Sequence, residues 1–176
     1  MAWRRLSADA NGVSTFLMKN TPTFKELMRN PDHLFAFGFG SGLAPKAPGT
    51  FGTLAAIPIF WLIQDLHWSF YLTWLCVTFA LGVYWCDRSS KALGVHDHGG
   101  IVWDEFVGYW VTMFFAPKGW LWIFIGFIAF RFFDIIKPWP IGWLDKKVKG
   151  GFGIMVDDLL AGIYALIVLQ LIVYLI

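Results

Sequence analysis

The chain has 176 residues, of which 57% are hydrophobic, 19% aromatic and 15% charged, with a formal net charge of +2. A soluble domain carries about 25% charged residues, so this composition excludes an ordinary soluble protein and points to one compact integral membrane bundle. The small net charge gives no reason to expect a nucleic-acid partner. The two cysteines, Cys76 and Cys86, fall in or at the end of one apolar segment, with neither a disulfide pattern nor metal-ligand spacing.

Residues 1–33 read as a polar, mixed N-terminal cytoplasmic segment, and residues 34–176 as the membrane domain. Arg4 and Arg5 are followed by no apolar run, so the start does not read as a secretory signal. His33–Gly42 is a short apolar stretch suited to the interface or to re-entry. A spanning helix needs about 20 mostly apolar residues, and five segments approach that length. They are Phe51–Leu66, interrupted by Pro58; Trp68–Cys86, the cleanest; Phe106–Ala116, short for a span; Trp120–Ile136, with two ionisable residues; and Leu159–Ile176. The expected fold is therefore all-α, a multi-helical membrane bundle of about five spanning or re-entrant helices.

Positive charge sets orientation, because Lys and Arg in short loops stay on the cytoplasmic side. With the N-terminus inside, every Lys and Arg except Lys118 lies at the cytoplasmic side or near that end of a span. This asymmetry predicts five spans with the C-terminus outside, or four if the first or third segment only dips into the membrane. Four polar stretches, 41–53, 87–105, 131–149 and 150–158, then meet at one membrane face.

Those stretches hold the candidate chemistry. In "IVWDEFVGYW", Asp104 and Glu105 open a segment that, at about 1.5 Å per residue, is too short for a hydrocarbon core of about 30 Å. Both carboxylates are thereby drawn below the membrane surface; the plainer alternative is a pair of acids favoured by a helix N-terminus. In "FRFFDIIKPWPIGW", Arg131, Asp134 and Lys137 recur at helical spacing on one face. Ionisable residues inside an apolar run are rare and usually functional, and two cations around one acid suit an anion such as phosphate. The loop "GFGSGLAPKAPGTFGTL" can offer backbone N–H groups and a helix start to phosphate, although it lacks the P-loop pattern. In "GVHDHGG", His96 and His98 are candidate ligands or acid–base groups, but neither has a partner fixed by spacing, so these residues and Asp97 read as a solvated loop. Finally, Asp157 and Asp158 precede an apolar run. As helical neighbours about 100° apart they cannot point the same way, so one would meet a metal while the other orients it or caps the helix. Five acids at one surface against Arg131 and Lys137 call for a divalent cation, and oxygen ligands favour a hard ion such as Mg²⁺.

Four stretches in combination, "GLAPKAPGTFGTL", "HDHGGIVWDEFVGYW", "RFFDIIKPWPI" and "GGFGIMVDDLLAG", resemble the bacterial phosphatidylglycerophosphatase A family over residues 34–176. The resemblance implies a Mg²⁺-dependent phosphatase of the bacterial inner membrane. It would convert phosphatidylglycerophosphate to phosphatidylglycerol and phosphate at the cytoplasmic face. It also matches Asp104 and Glu105 to one acid pair of the family, Arg131, Asp134 and Lys137 to its basic-acidic helix, and Asp157 and Asp158 to its closing acid pair.

The expected site therefore has Asp104, Glu105, Asp134, Asp157 and Asp158 as candidate metal ligands, with Asp158 preferred over Asp157. Asp104, Glu105, Asp134 and Asp158 are the catalytic candidates, and Arg131, Lys137 and Thr50 the phosphate-binding ones. Direct attack by water and an aspartyl-phosphate route are both open. The rival function, a small transporter or channel, would distribute charges through the membrane depth, whereas these crowd one end.

Overall fold

A computed structural model describes residues 21–95 and 98–176. Within them the chain forms α1 (Phe24–Leu27), α2 (Pro31–Ala36), a 3₁₀ turn (Gly38–Leu43), α3 (Pro48–Ile63), α4 (Trp68–Leu93), α5 (Trp103–Thr112), α6 (Trp120–Ile136), α7 (Ile141–Lys147) and α8 (Gly150–Leu175). No strand occurs among the described residues, and the architecture is an all-helical bundle. Two helices, α4 and α8, are long and apolar enough to cross a membrane, and α3 is a shorter apolar helix.

Local chemistry explains several boundaries. Pro48 occupies the first turn of α3, where its missing N–H costs nothing. Gly94 closes α4 in the left-handed conformation, as a C-terminal glycine commonly does. Lys137 ends α6 with φ of 44°, a conformation uncommon for a side-chain-bearing residue, and Pro138 follows it.

The third apolar segment is as short as expected, but it stands at the centre of the bundle. Its helix, α5, has only 10 residues, or about 15 Å, half of a hydrocarbon core. It begins deep, since the Trp103 indole donates to the carbonyl of Thr78 at 3.1 Å, near the middle of α4. Every residue of α5 except Asp104 is buried. Its polar side chains reach outward to the surrounding backbone. Trp110 Nε1 donates to Ala56 of α3 at 3.1 Å, and Tyr109 Oη to Ile123 of α6 at 3.3 Å. Tyr71 of α4 returns the contact, donating to the Trp110 carbonyl at 2.8 Å. A half-length helix can thus stand at the centre because its neighbours enclose it and its large aromatic side chains find acceptors.

The contact between α5 and α8 is close because both sides are glycine. A Cβ added at Gly162 would lie 2.4 Å from the Gly108 carbonyl oxygen. Small residues at such crossings let helix backbones approach in an apolar medium. Helix α8 also starts nine residues before the apolar run read from the sequence. Asp157 and Asp158 therefore lie two turns inside the helix and do not cap it; Lys149 holds the N-cap position.

The polar segment that precedes the bundle packs on the same end as the loop between α4 and α5. Leu27 is fully buried, Asp32 pairs with Arg88 at 2.7 Å, and His33 shares a 2.7 Å hydrogen bond with Ser89. At the opposite end Lys118 pairs with Asp65.

Candidate active site

A cavity of about 340 Å³ opens where α3 begins, α5 begins, α6 ends and α8 passes through its second turn. Asp104, Glu105, Arg131, Asp134, Lys137, Asp157 and Asp158 all line it, and Asp145 joins them. Six carboxylates thus face one space with two cations.

The charges divide into two layers. In the deeper one, Arg131 Nη1 pairs with Glu105 and also with Asp134, the latter at 3.0 Å. The buried Thr53 hydroxyl lies 2.8 Å from Glu105 Oε2 and 3.0 Å from the Gly49 carbonyl, positioned to donate to either. Glu105, Asp134 and Asp158 each offer one oxygen within 4.8 Å of the others. Asp158 is 3% exposed, and its Oδ2 has no hydrogen-bond partner. In the outer layer Lys137 Nζ bridges Asp157 at 2.6 Å and Asp145 at 2.9 Å. The left-handed cap at Lys137 accompanies this return of the chain toward α8.

The neighbouring aspartates therefore do different things, as helical geometry requires. Asp157 is held by the lysine, whereas Asp158 turns to Glu105 and Asp134. Asp104 lines the cavity outside that trio, and its Oδ1 accepts from the Glu105 backbone N–H at 3.0 Å.

A hard divalent cation fits this donor set. Three carboxylates from three helices converge on one point, all donors are oxygen, and a buried carboxylate oxygen is left without a partner. Burying anions without compensation is costly, and Arg131 serves only part of the cluster.

Other expected residues fall elsewhere. Thr50 lies in the first turn of α3 but not on the cavity wall; Thr53, one turn on, makes the contact with Glu105 instead. His98 is not solvated. It is 4% exposed, and its Nδ1 accepts from the Gly100 N–H at 3.0 Å, which shapes the loop entering α5. His96 and Asp97 lie outside the described residues. Asp145 and Gly49 were not legible as site residues. Asp145 is reached only because the chain folds back on Lys137, and no spacing rule marks it. Gly49 is demanded by contact, since a Cβ there would lie 2.0 Å from Glu105 Oε1.

Comparison with known proteins gives this geometry its family. The family profile described as PgpA, Phosphatidylglycerophosphatase A, matches residues 34–173. The chain is 52% identical over 137 residues to Phosphatidylglycerophosphatase A of Escherichia coli strain K12, covering 77% of this chain and 80% of that protein. It is 48% identical over 160 residues to Phosphatidylglycerophosphatase A of Haemophilus influenzae, covering 90% and 98%. A Bacteroides thetaiotaomicron protein, provisionally named a phosphatidylinositol-3-phosphatase, is 37% identical over 143 residues, covering 77% and 89%. No solved structure matches the chain at a significant level. With its matched region spanning all four charged stretches, the chain belongs to the phosphatidylglycerophosphatase A family.

Proposed function

We propose that this protein is a Mg²⁺-dependent phosphomonoesterase that hydrolyses phosphatidylglycerophosphate to phosphatidylglycerol and phosphate at the cytoplasmic face of a bacterial inner membrane. The observation that carries this reading is the convergence of Glu105, Asp134 and Asp158 beside Arg131 in a cavity at one end of an apolar bundle. The names of the relatives supply the substrate.

Glu105, Asp134 and Asp158 would hold the ion. When bound, a divalent cation neutralises phosphate charge and lowers the pKa of a coordinated water. Arg131 and Lys137 would bind phosphate oxygens, Arg131 through its planar fork. Both cations are now engaged by carboxylates, so phosphate exchanges for those partners and arrives at preplaced donors. The start of α3, at the cavity wall, adds unsatisfied backbone N–H groups of the kind that receive anions. Asp104, on the wall outside the acidic trio, would accept a proton as water attacks phosphorus. The new P–O bond forms as the ester P–O bond breaks, and the proton taken up by Asp104 passes to the ester oxygen, which leaves as the headgroup hydroxyl.

The charge distribution supports the orientation. Lys46, Lys137, Lys146, Lys147 and Lys149 lie at the cavity end, while Lys118 lies at the other. This is the arrangement of a cytoplasm-facing site under the positive-inside rule.

A panel of lipid phosphates tests the substrate. Purified protein with Mg²⁺ should release phosphate from phosphatidylglycerophosphate faster than from phosphatidic acid or phosphatidylinositol 3-phosphate. Equal rates on all three would contradict the substrate assignment, and release from none would contradict the reaction.

A further inference from the structure

The connection from α6 to α8 does more than join two helices. Lys137 reaches inward from its start, Asp145 bonds that lysine from its middle, and Val148 lines the cavity. Ile141 is buried beneath the segment, while its two tryptophans and its remaining lysines face outward. Trp139 is 83% exposed and Trp143 is 55% exposed, and Lys146, Lys147 and Lys149 are all exposed. Just before it, Ile135 and Ile136 present exposed apolar surface on α6. The chain therefore passes from apolar to aromatic to basic over 15 residues, which is the sequence of environments met on leaving a bilayer.

We propose that Trp139–Lys149 is a docking surface for anionic phospholipid headgroups, with the two tryptophans seated in the interface and the three lysines drawing anionic lipid to the cavity mouth. The proposal rests on the phosphatase reading for its purpose, since the proposed substrate carries both a phosphodiester and a terminal phosphate. Charge complementarity is direct. The segment contributes Lys146, Lys147 and Lys149 against Asp145, and Lys137 stands just before it. Lys137 and Asp145 neutralise each other within the wall, so the outward face is left wholly basic. The cavity behind it is acid-rich and would repel an anionic lipid at a distance, so a basic rim on the approach overcomes a barrier that the site itself creates. Basic residues beside a membrane surface attract anionic lipid within about a Debye length, roughly 10 Å at 0.1 M salt.

The test compares full-length wild type with Lys146→Gln/Lys147→Gln/Lys149→Gln, reconstituted in phosphatidylcholine vesicles with a varied mole fraction of phosphatidylglycerophosphate. The triple variant should need at least about tenfold more substrate for half-maximal rate at low salt. Its maximal rate should be unchanged, and the gap should close at high salt. The corresponding Lys→Arg variant should behave as wild type. A triple Gln variant with wild-type half-saturation and salt response would overturn the proposal, as would equal losses in the Gln and Arg variants. A second readout is independent of turnover. Energy transfer from the protein's tryptophans to pyrene-labelled phosphatidylglycerol should exceed that to pyrene-labelled phosphatidylcholine in wild type, and the excess should fall in the Gln variant. Equal transfer to both probes in wild type would overturn the docking surface, whereas selective transfer without any phosphate release would overturn only the phosphatase reading.

Discussion

Asp157 and Asp158 are chemically identical neighbours with opposite surroundings. A rotation of about 100° turns one to Lys137 and the other to Glu105 and Asp134. The preference for Asp158 as the ligand follows from that divergence, because a carboxylate already bridged by lysine has less to offer an ion. Thr53 acts one step further out, with its hydroxyl beside Glu105 at 2.8 Å. Residues that orient metal ligands typically change affinity or activity by about 10- to 100-fold when altered. Thr53→Val keeps the shape and removes the hydroxyl, so kcat should fall by about tenfold or more, and the Mg²⁺ concentration for half-maximal rate should rise. Steady-state kinetics across a Mg²⁺ titration measure both. Unchanged Mg²⁺ dependence would show that the hydroxyl does not position Glu105.

Among the elements, α5 is the one that brings Asp104 and Glu105 to the cavity. Its shortness was legible, because Asp104–Pro117 cannot match a full bilayer crossing, and the drop of the acids into the bundle followed from that. Its central placement was not legible, since periodicity cannot tell a helix enclosed by protein from one facing lipid. The boundaries of α8 were missed for another reason. The run "GGFG" has poor helix propensity, but here tertiary contacts override it, and the Gly151 N–H lies 3.3 Å from Asp87 Oδ1. The glycine crossing between α5 and α8 carries a stability prediction. Gly162→Val would force a side chain into the Gly108 backbone, and overpacking of this kind costs about 1–3 kcal/mol or more. The variant should lose several degrees in a thermal melt of detergent-solubilised protein; an unchanged melting temperature would mean that the two helices are less tightly joined than described.

For the molecule as a whole, the four charged stretches of the sequence come together at one end, although they are spread over more than 100 residues. That convergence was legible from Lys and Arg asymmetry alone. The expected helix count requires qualification: α5 is a half-length helix, and the cavity lies below the ends of α4 and α8 instead of at their surface. The partners of Lys137, the role of Thr53 and the inward position of His98 depend on side-chain contacts between distant segments, which spacing along one chain does not encode. The proposed orientation is testable by single-cysteine labelling in a background lacking Cys76 and Cys86. A cysteine replacing Lys118 should react with an impermeant maleimide applied to the periplasmic side of intact spheroplasts, and one replacing Lys146 only after permeabilisation. The reverse pattern would place the cavity on the outside.

The central claim is that Glu105, Asp134 and Asp158 form the metal-binding heart of a phosphate site. Phosphate release from phosphatidylglycerophosphate, measured after chelation and again after Mg²⁺ is restored, tests it most directly in wild type and Asp158→Asn. Wild type should lose activity on chelation and regain it with Mg²⁺, while Asp158→Asn, folded by the same thermal melt, should stay at least about 100-fold lower at every Mg²⁺ concentration. Near-wild-type release by Asp158→Asn, or full wild-type activity in the chelator, would contradict the account.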